Sequence, residues 1–268
     1  MKFTTSNSKE LTKVRALLHG DSGIGKTTSL RTLPEDRTLI AIGERGAIPL
    51  RKHSFRVLQI ESWDDVREMI RMFHAGEATP GGVMLGTNGD SFECRNLAID
   101  SLSELSELCK MQIVTIDRRH LIHERTKGKS ETPAGVYDDQ MTMEDWGLYR
   151  TRMIGMISAV CHLPVHVIVT CLSQWTEDKT TGAQLRTPNL SGKAANECPA
   201  YFDEVFHMES VKGADGEGTP VESRLWRTFN DGRVMAKDAS GVLDPFEESN
   251  WTHIFTKILA SNGNGKEK

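Results

Sequence analysis

The stretch HGDSGIGKTTSL, residues 19–30, holds three glycines, one lysine and two threonines directly after the apolar run VRALL. Residues 20–27 fit the pattern G-x-x-x-x-G-K-[ST] in full, with a predicted strand before it and a predicted helix after it. Glycines let the backbone fold around an anion, so that successive N–H groups point inward, and a helix N-terminus adds partial positive charge. The stretch therefore predicts a loop that binds the phosphates of a nucleoside triphosphate.

The residue types within this loop predict individual roles. Lys26 is expected to reach the β- and γ-phosphates, and Thr27 to place its hydroxyl on Mg²⁺. A GTPase normally reads guanine through an Asn-Lys-x-Asp motif, which the sequence lacks, so ATP with Mg²⁺ is the predicted ligand. The predicted nucleotide-binding residues are Gly20, Asp21, Ser22, Gly23, Ile24, Gly25, Lys26, Thr27 and Thr28.

A second ligand for the metal is predicted at Asp100. This residue ends the apolar run NLAID, and a carboxylate at the C-terminal end of such a strand can hold Mg²⁺ through water. The alternative is an aspartate that caps the next helix, but Ser101 can take that position. Thr27 and Asp100 are therefore the predicted metal ligands.

Two glutamates are candidates for the base that activates the attacking water. Many P-loop ATPases carry a glutamate directly after the metal-binding aspartate, but that position is Ser101 here, and Glu104 lies on the following helix. Glu44 follows the predicted strand TLIAI and would lie at the same edge of the sheet as the loop. We therefore predict Glu44 as the base, with a solvated loop glutamate as the alternative.

Strand and helix patterns alternate along most of the chain, which indicates a mostly parallel sheet flanked by helices. Predicted strands are Val14–His19, Thr38–Ile42, Arg56–Ile60, Asn96–Asp100 and Val165–Thr170. Predicted helices are Lys26–Leu33, Ser62 to about His74, one that opens at Ser101, and Met143 to about Cys161. Loops are predicted for the glycine-rich segment Ala78–Asp90 and the polar segment Arg118–Asp139.

The pattern changes in the last third of the chain. Short strands without intervening helices are predicted at Glu204–Ser210, Ser223–Phe229 and Arg233–Lys237, with a tight hairpin turn at residues 230–232 between the last two. A final helix is predicted at Trp251–Leu259. The predicted fold is α/β, with antiparallel strands added to a parallel sheet, in a single domain over residues 1–262 and a flexible tail over 263–268.

Composition narrows the classes of function. The net charge of −4 over 268 residues gives no global attraction to nucleic acid, so any such contact needs a local basic patch. No apolar run approaches the roughly 20 residues of a membrane helix, and the N-terminus has no apolar signal segment. Five scattered cysteines without a CxxC pair fit a reduced interior. These features predict a cytoplasmic protein without a membrane partner.

Several of these features together resemble the RecA-like ATPase core. They are the P-loop, the acid in IGERG, the strand LAIDS, the buried strand VIVTCLSQW that ends in a polar residue, and a late meander with MAKD. The segments RTPNLSGKAANECPAYFDEVFHM and RLWRTFNDGRVMAKDASGVLD resemble more closely the phage Sak-type ATPases of recombination and single-strand annealing. The resemblance covers about residues 14 to 260.

The resemblance implies further functional residues. Glu44 matches the catalytic glutamate of RecA-like proteins, and Gln174 the glutamine that senses the γ-phosphate, although Cys171–Ser173 differ from the usual pattern before it. Lys237 matches a lysine that RecA-like filaments insert into the neighbouring ATP site, with an exposed strand-end lysine as the alternative. The resemblance thus implies the catalytic set Lys26, Glu44, Gln174 and Lys237.

The resemblance also implies single-stranded DNA as a partner, a ring or filament of identical chains, and a single-strand-binding protein as a further candidate partner. Two basic loops could contact the DNA, Arg118–Lys129 and Thr176–Glu197, and Trp175 could stack on a base. Acidic residues in or near these loops, Glu124, Glu131, Glu177 and Asp178, also fit ordinary solvated surface. A P-loop kinase that phosphorylates a small molecule is the alternative function, with residues 118–129 as its lid.

Overall fold

Apolar runs in the sequence become the strands of a large sheet. The computed structural model describes residues 13–43, 48–87, 90–117, 141–177, 182–214 and 220–261. Its helices are α1 Lys26–Ser29, α2 Trp63–Ala75, α3 Leu102–Met111, α4 Met143–Cys161, α5 Ala194–Glu197 and α6 Trp251–Ser261. Its strands are β1 Arg15–Gly20, β2 Thr38–Ile42, β3 Arg56–Gln59, β4 Glu77–Ala78, β5 Val83–Thr87, β6 Asp90–Cys94, β7 Asn96–Asp100, β8 His166–Glu177, β9 Gln184–Pro188, β10 Glu204–Ala214, β11 Pro220–Arg227, β12 Lys237–Asp238 and β13 Phe246–Glu248.

The main sheet has a parallel centre and an antiparallel extension. Its strand order is β13-β11-β10-β1-β8-β7-β2-β3. Neighbours from β10 to β3 run parallel, whereas β11 pairs antiparallel with β10 and with β13. The predicted α/β fold with added antiparallel strands is therefore confirmed.

Helices cover both faces of the central strands. Neighbouring residues of β1 enter different cores, because successive side chains of a strand point to opposite faces. Leu17 packs with α2, α3 and α4 on one face, and Leu18 packs with α6 on the other. Every residue of β2 and β7 is buried, which explains why these segments read as continuous apolar runs. Two of these helices begin with a side-chain cap of the predicted kind, at Ser62 and Ser101.

The predicted loop Ala78–Asp90 is wrong, because this segment contributes to a second sheet of order β4-β5-β6. Gly82 in this segment and Gly76 just before it allow close contact between strands. A Cβ added to Gly82 would lie 1.9 Å from the carbonyl oxygen of Cys94, and one added to Gly76 would lie 2.4 Å from Cγ1 of Val83. Glycine is required at these positions by packing.

The predicted hairpin around residues 230–232 is also wrong. The turn exists, since Gly232 has a φ of 82° and donates its N–H to Asn230 Oδ1. However, the chain then runs beside β9, where the Met235 N–H donates to the Arg186 carbonyl. β12 pairs with β10, and β11 pairs with β13 instead. The side chain of Asp231 accepts from two N–H groups beyond the turn and directs the chain away from β11.

The segment predicted as the second DNA loop is largely regular structure. β8 continues to Glu177, and β9 returns beside it, so the two form an antiparallel ribbon from Ser173↔Pro188 to Glu177↔Gln184. α5 and a short 3-10 turn follow. The other predicted loop, 118–129, lies outside the described residues, as does Lys179. We call the β8–β9 pair the ribbon below.

Candidate nucleotide-binding site

The predicted phosphate-binding loop lies at the C-terminal edge of the parallel strands. β1 ends at Gly20, which is level with Leu172 of β8, and α1 begins at Lys26. β8 lies between β1 and β7, so Asp100 at the end of β7 faces the loop across one strand. Ligands of open α/β sheets bind at this edge.

The loop backbone is shaped by its glycines. Gly23 and Gly25 have φ values of 73° and 116°, in the left-handed region that favours glycine. Gly20 is close to β10, because an added Cβ would lie 3.1 Å from the Met208 carbonyl oxygen. The loop is closed by an N–H bond from Ile24 to the Asp21 carbonyl at 3.4 Å. Gly23 and Gly25 are thus required by their positive φ values, and Gly20 by the close approach of β10.

The lysine of the motif lies within this loop. Lys26 is only 7% exposed, and its Nζ donates to the carbonyls of Gly20 at 3.0 Å and Asp21 at 2.8 Å. Carbonyl oxygens are neutral acceptors, so these bonds hold the ammonium in the loop without cancelling its charge. This arrangement fits a cation that can exchange carbonyl oxygens for phosphate oxygens.

The threonine of the motif and the predicted metal-binding aspartate are in direct contact. Thr27 Oγ1 donates to Asp100 Oδ2 at 2.7 Å, and the buried Thr170 of β8 donates its hydroxyl to the other carboxylate oxygen. Thr170 was not predicted as a site residue. A hydroxyl-bearing residue at the end of the run VHVIVT could have indicated it.

The chemistry of this cluster fits Mg²⁺. A hydroxyl and one carboxylate are hard oxygen ligands, and Mg²⁺ usually keeps several waters and binds through one or two carboxylates plus phosphate oxygens. Across the described segments there is no group of three histidine, cysteine, aspartate or glutamate side chains that could form a protein-only metal site. The donor set therefore suits a metal that arrives with a nucleotide.

Of the two candidate bases, only Glu104 lies among the described residues. Glu44 lies outside the described residues. Glu104 on α3 is brought to the same edge, because a Cβ added to Gly43 would lie 2.7 Å from its Cγ. Gly43, in turn, donates its N–H to the Asp100 carbonyl at 3.1 Å. Glu104 therefore packs where β2 and β7 end together.

Two buried histidines, His19 on β1 and His207 on β10, lie next to the start of the loop. His19 is fully buried, and its ring bonds to Ser173 Oγ at 2.8 Å and to the Met235 carbonyl at 2.7 Å. Burial, followed by the neighbouring His207, lowers the pKa of His19 to about 3. Burial also lowers the pKa of His207 to about 4. Both rings are thus neutral at neutral pH, and they connect β1, β8 and the segment before β12.

An arginine of the ribbon reaches the phosphate-binding loop. Arg186 forms an ion pair with Asp21, and its Cζ lies 4.8 Å from the centre of the Trp175 ring. The Arg186 side chain is 15% exposed, whereas Trp175 is 59% exposed. Sequence analysis assigned both residues to DNA contact but missed the connection of Arg186 to the loop, which no spacing in the sequence could indicate.

The two remaining predicted residues, Gln174 and Lys237, donate to backbone carbonyls elsewhere in the chain. Gln174 donates its side-chain amide to the carbonyls of Pro188 at 3.3 Å and Leu190 at 2.9 Å, so it binds the returning strand of the ribbon. Lys237 pairs with Val205 of β10, three residues before the level of Gly20. Its exposed Nζ is 3.5 Å from the Pro199 carbonyl. Lys237 is therefore not part of the loop cluster within one chain.

Comparisons with known proteins were made for the whole chain. A search of curated protein sequences gave no significant match. One similar solved structure is the P4 protein from bacteriophage phi6 in complex with ADP, at 14% identity and a TM-score of 0.30, covering 78% of this chain and 57% of that one. The chain thus spans little more than half of that protein, and a likeness of this size carries no conclusion about activity. No helix in the described segments is long and apolar enough to cross a membrane.

The family model of the AAA domain matches residues 12–240, well over half of the sequence. The chain therefore belongs to the AAA domain family of P-loop ATPases.

Proposed function

We propose that the chain is a Mg²⁺-dependent ATPase that acts on single-stranded DNA in recombination, in the manner of the phage Sak-type proteins that its sequence resembles. The observation that carries the ATPase part is the contact of Thr27 with Asp100 at the mouth of a loop that holds Lys26. The cation and the hydroxyl of the loop meet a carboxylate from a distant strand, where phosphates and Mg²⁺ would bind.

Each of these residues has a distinct role in the proposal. Lys26 binds the β- and γ-phosphates, and the loop N–H groups bind the phosphate oxygens. Thr27 and Asp100 hold Mg²⁺, which when bound neutralises charge on the phosphates. Thr170 orients the Asp100 carboxylate, because it donates to the oxygen that Thr27 leaves free. Glu44 deprotonates and orients the water, with Glu104 as the alternative.

The DNA part of the proposal is supported by the ribbon. Trp175 is a large, exposed aromatic side chain, and a nucleobase can stack on such a ring without regard to sequence. Arg186 covers part of that ring and binds Asp21, so the surface proposed for DNA is one residue away from the phosphate-binding loop. Gln174 precedes Trp175 and joins the ribbon strands. In the proposal, the state of the nucleotide changes DNA affinity through this ribbon.

The proposal also includes an assembly. Lys237 is exposed and lies away from the loop cluster of its own chain, which suits the role of a residue that reaches a neighbour's ATP site. A head-to-tail contact of this kind produces a ring or a filament. A single-strand-binding protein is a further proposed partner, and the cytoplasm of a phage-infected host is the proposed location.

The test is ATP turnover by the purified chain, with and without single-stranded DNA, and with Lys26→Ala alongside Lys52→Ala. Lys52 is an exposed lysine in a turn, so its variant controls for loss of charge. We expect DNA to raise turnover several-fold, Lys52→Ala to match the wild type, and Lys26→Ala to be inactive. Turnover that DNA leaves unchanged would contradict the DNA part.

The alternative kinase is tested in the same assay by adding nucleoside monophosphates. Transfer of the γ-phosphate to a monophosphate, with no response to DNA, would replace the recombination proposal with the kinase. This class needs an arginine-rich lid and a pocket for the acceptor, and an antiparallel extension such as β11 and β13 does not suit it. The candidate lid, residues 118–129, lies outside the described part of the chain. We therefore favour the DNA-dependent ATPase.

A further inference from the structure

The β10–β11 pair continues beyond the end of the strand that leads into the phosphate-binding loop. β10 pairs in parallel with β1 as far as Met208↔Gly20. From there β10 and β11 continue as an antiparallel ladder to Ala214↔Pro220. These two strands therefore form a wall beside the loop that starts at Gly20.

Arg224 on this wall contacts the loop directly. It lies opposite Ser210 in the ladder, beyond the level of Gly20. A Cβ added to Gly25 would lie 2.7 Å from Nη1 of Arg224 and 3.4 Å from its Cζ. The guanidinium thus occupies the space that a side chain at Gly25 would fill, immediately before Lys26.

The orientation of Arg224 follows from the strand. It shares a face with Trp226, two residues on, since alternate residues of a strand point the same way. Trp226 is fully buried in the core that also contains Leu30, which directly follows α1. Arg224 therefore points to the side of the sheet on which the loop and α1 lie.

Arg224 differs from the other arginines nearby in having no acid partner among the residues that the structure describes. Arg186 pairs with Asp21, and Arg227 pairs with Glu209. The side chain of Arg224 is exposed and packs against the loop backbone instead. A guanidinium placed against a phosphate-binding loop without a carboxylate suits an anion that is supplied from outside the protein.

We propose that Arg224 is a second cation of the nucleotide site and donates to the polyphosphate of ATP bound in the same chain. This assignment rests on the proposed ATPase function. The planar guanidinium presents donors in a fork that matches two phosphate oxygens, whereas the ammonium of Lys26 acts as a point charge. Arg224 is accordingly a nucleotide-binding residue, and it approaches the phosphates from the strand side of the loop.

The test is equilibrium binding of fluorescently labelled ATP, with competition by unlabelled ATP and by inorganic triphosphate, which has no base or ribose. Arg224→Ala, Arg224→Lys and the wild type are compared. Arg71→Ala is the matched control, since Arg71 is an exposed arginine on α2 with its own partner, Glu68. The melting temperature of each variant shows that it is folded.

We expect Arg224→Ala to weaken both ATP and inorganic triphosphate by about tenfold, because one charge-assisted contact is lost. Arg224→Lys keeps the charge but loses the planar fork, so its affinity should lie between those of the alanine variant and the wild type. Arg71→Ala should match the wild type.

Two results would overturn the assignment alone, while the wild type still binds ATP. They are unchanged affinities in Arg224→Ala, and weaker binding of ATP with unchanged binding of inorganic triphosphate. The second of these would mean contact with the base or ribose. A wild type that binds neither ligand would overturn the proposed nucleotide site and this assignment with it.

Discussion

The two ends of the main sheet both bury charged residues, but they arrange them differently. At the C-terminal ends of the parallel strands, Lys26 and Asp100 are 7% and 9% exposed. Lys26 donates to two backbone carbonyls, and Asp100 accepts from two threonine hydroxyls. Near the opposite end, Glu204 is 1% exposed and pairs in the β10–β12 ladder with another acid, Asp238.

The difference indicates what each cluster does. Glu204 is buried beside the half-buried Asp238, and two carboxyl groups so placed cannot both ionise at low cost, so Glu204 keeps its proton. At the loop end, a cation, a hydroxyl and a carboxylate converge on one edge of the sheet, which is the arrangement expected for an external ligand. The account therefore predicts that changes at the loop end alter function, and that changes at Glu204 alter stability.

The largest effect in a single variant of the metal cluster is expected for Asp100→Asn. An amide cannot supply the negative charge that holds Mg²⁺, so ATP turnover should fall about 10- to 100-fold and require more Mg²⁺. The measurement is turnover as a function of Mg²⁺ concentration. Asp64→Asn is the control, because Asp64 is an exposed acid of α2 with its own partner, Arg67. If turnover of Asp100→Asn stays within twofold of the wild type, the proposed role of Asp100 in holding Mg²⁺ is contradicted.

Glu204→Gln should change stability in a pH-dependent way. Burial, followed by the charge of Asp238, raises the pKa of Glu204 from 4.5 to about 8. The folded state therefore binds the proton more tightly, and wild-type stability falls as pH rises from 4.5 towards 8. Glutamine stays neutral, so the variant should match the wild type near pH 4.5 and exceed it at pH 8.5 by several kcal/mol, since one pKa unit corresponds to about 1.4 kcal/mol.

This prediction is measured by chemical denaturation at the two pH values. Glu222→Gln is the control, because Glu222 is an exposed glutamate on β11. Asp238 also faces Glu204; burial acts to raise its pKa, but bonds from Ser240 and from the N–H groups of Leu243 and Gly241 lower it on balance. An equal difference between Glu204→Gln and the wild type at both pH values would contradict the protonated state of Glu204.

The smallest of these effects is expected for Trp175→Ala. Loss of one stacking surface should weaken single-stranded DNA by about tenfold, since a stacked base contributes roughly 1–3 kcal/mol. Fluorescence anisotropy of a labelled oligonucleotide measures it. The control is Trp146→Ala on α4, a second exposed tryptophan at 39% exposure. If Trp175→Ala and Trp146→Ala bind single-stranded DNA with equal affinity, the ribbon does not contact DNA through Trp175.

The structure could be predicted from the sequence where the residues of one short segment determine its conformation by themselves. The glycines of residues 20–25 and the fully buried runs of β2 and β7 fixed the loop, the parallel sheet and the position of Asp100. Prediction failed where a long-range contact decides. Gly82 reads as a loop residue until Cys94 is seen against it, and the turn at Asp231 reads as a hairpin until the chain is seen beside Arg186.

The same limit applies to the site. Asp21–Arg186 joins positions 165 residues apart, and Gly25–Arg224 joins positions 199 apart, so no local spacing indicates either contact. The roles of Gln174 and Lys237 stay predictions, because each depends on a bound nucleotide or a second chain. Glu44 stays a prediction because it lies outside the described residues.

The most direct test of the central claim is equilibrium binding of ATP with Mg²⁺ to the wild type and to Lys26→Ala, without DNA. We expect one saturable ATP site per chain in the wild type, and an affinity for ATP at least about 100-fold weaker in Lys26→Ala, because several charge-assisted bonds are lost. The melting temperature without nucleotide should be similar in both. Equal affinities in two folded proteins would contradict the claim that this loop is the nucleotide site.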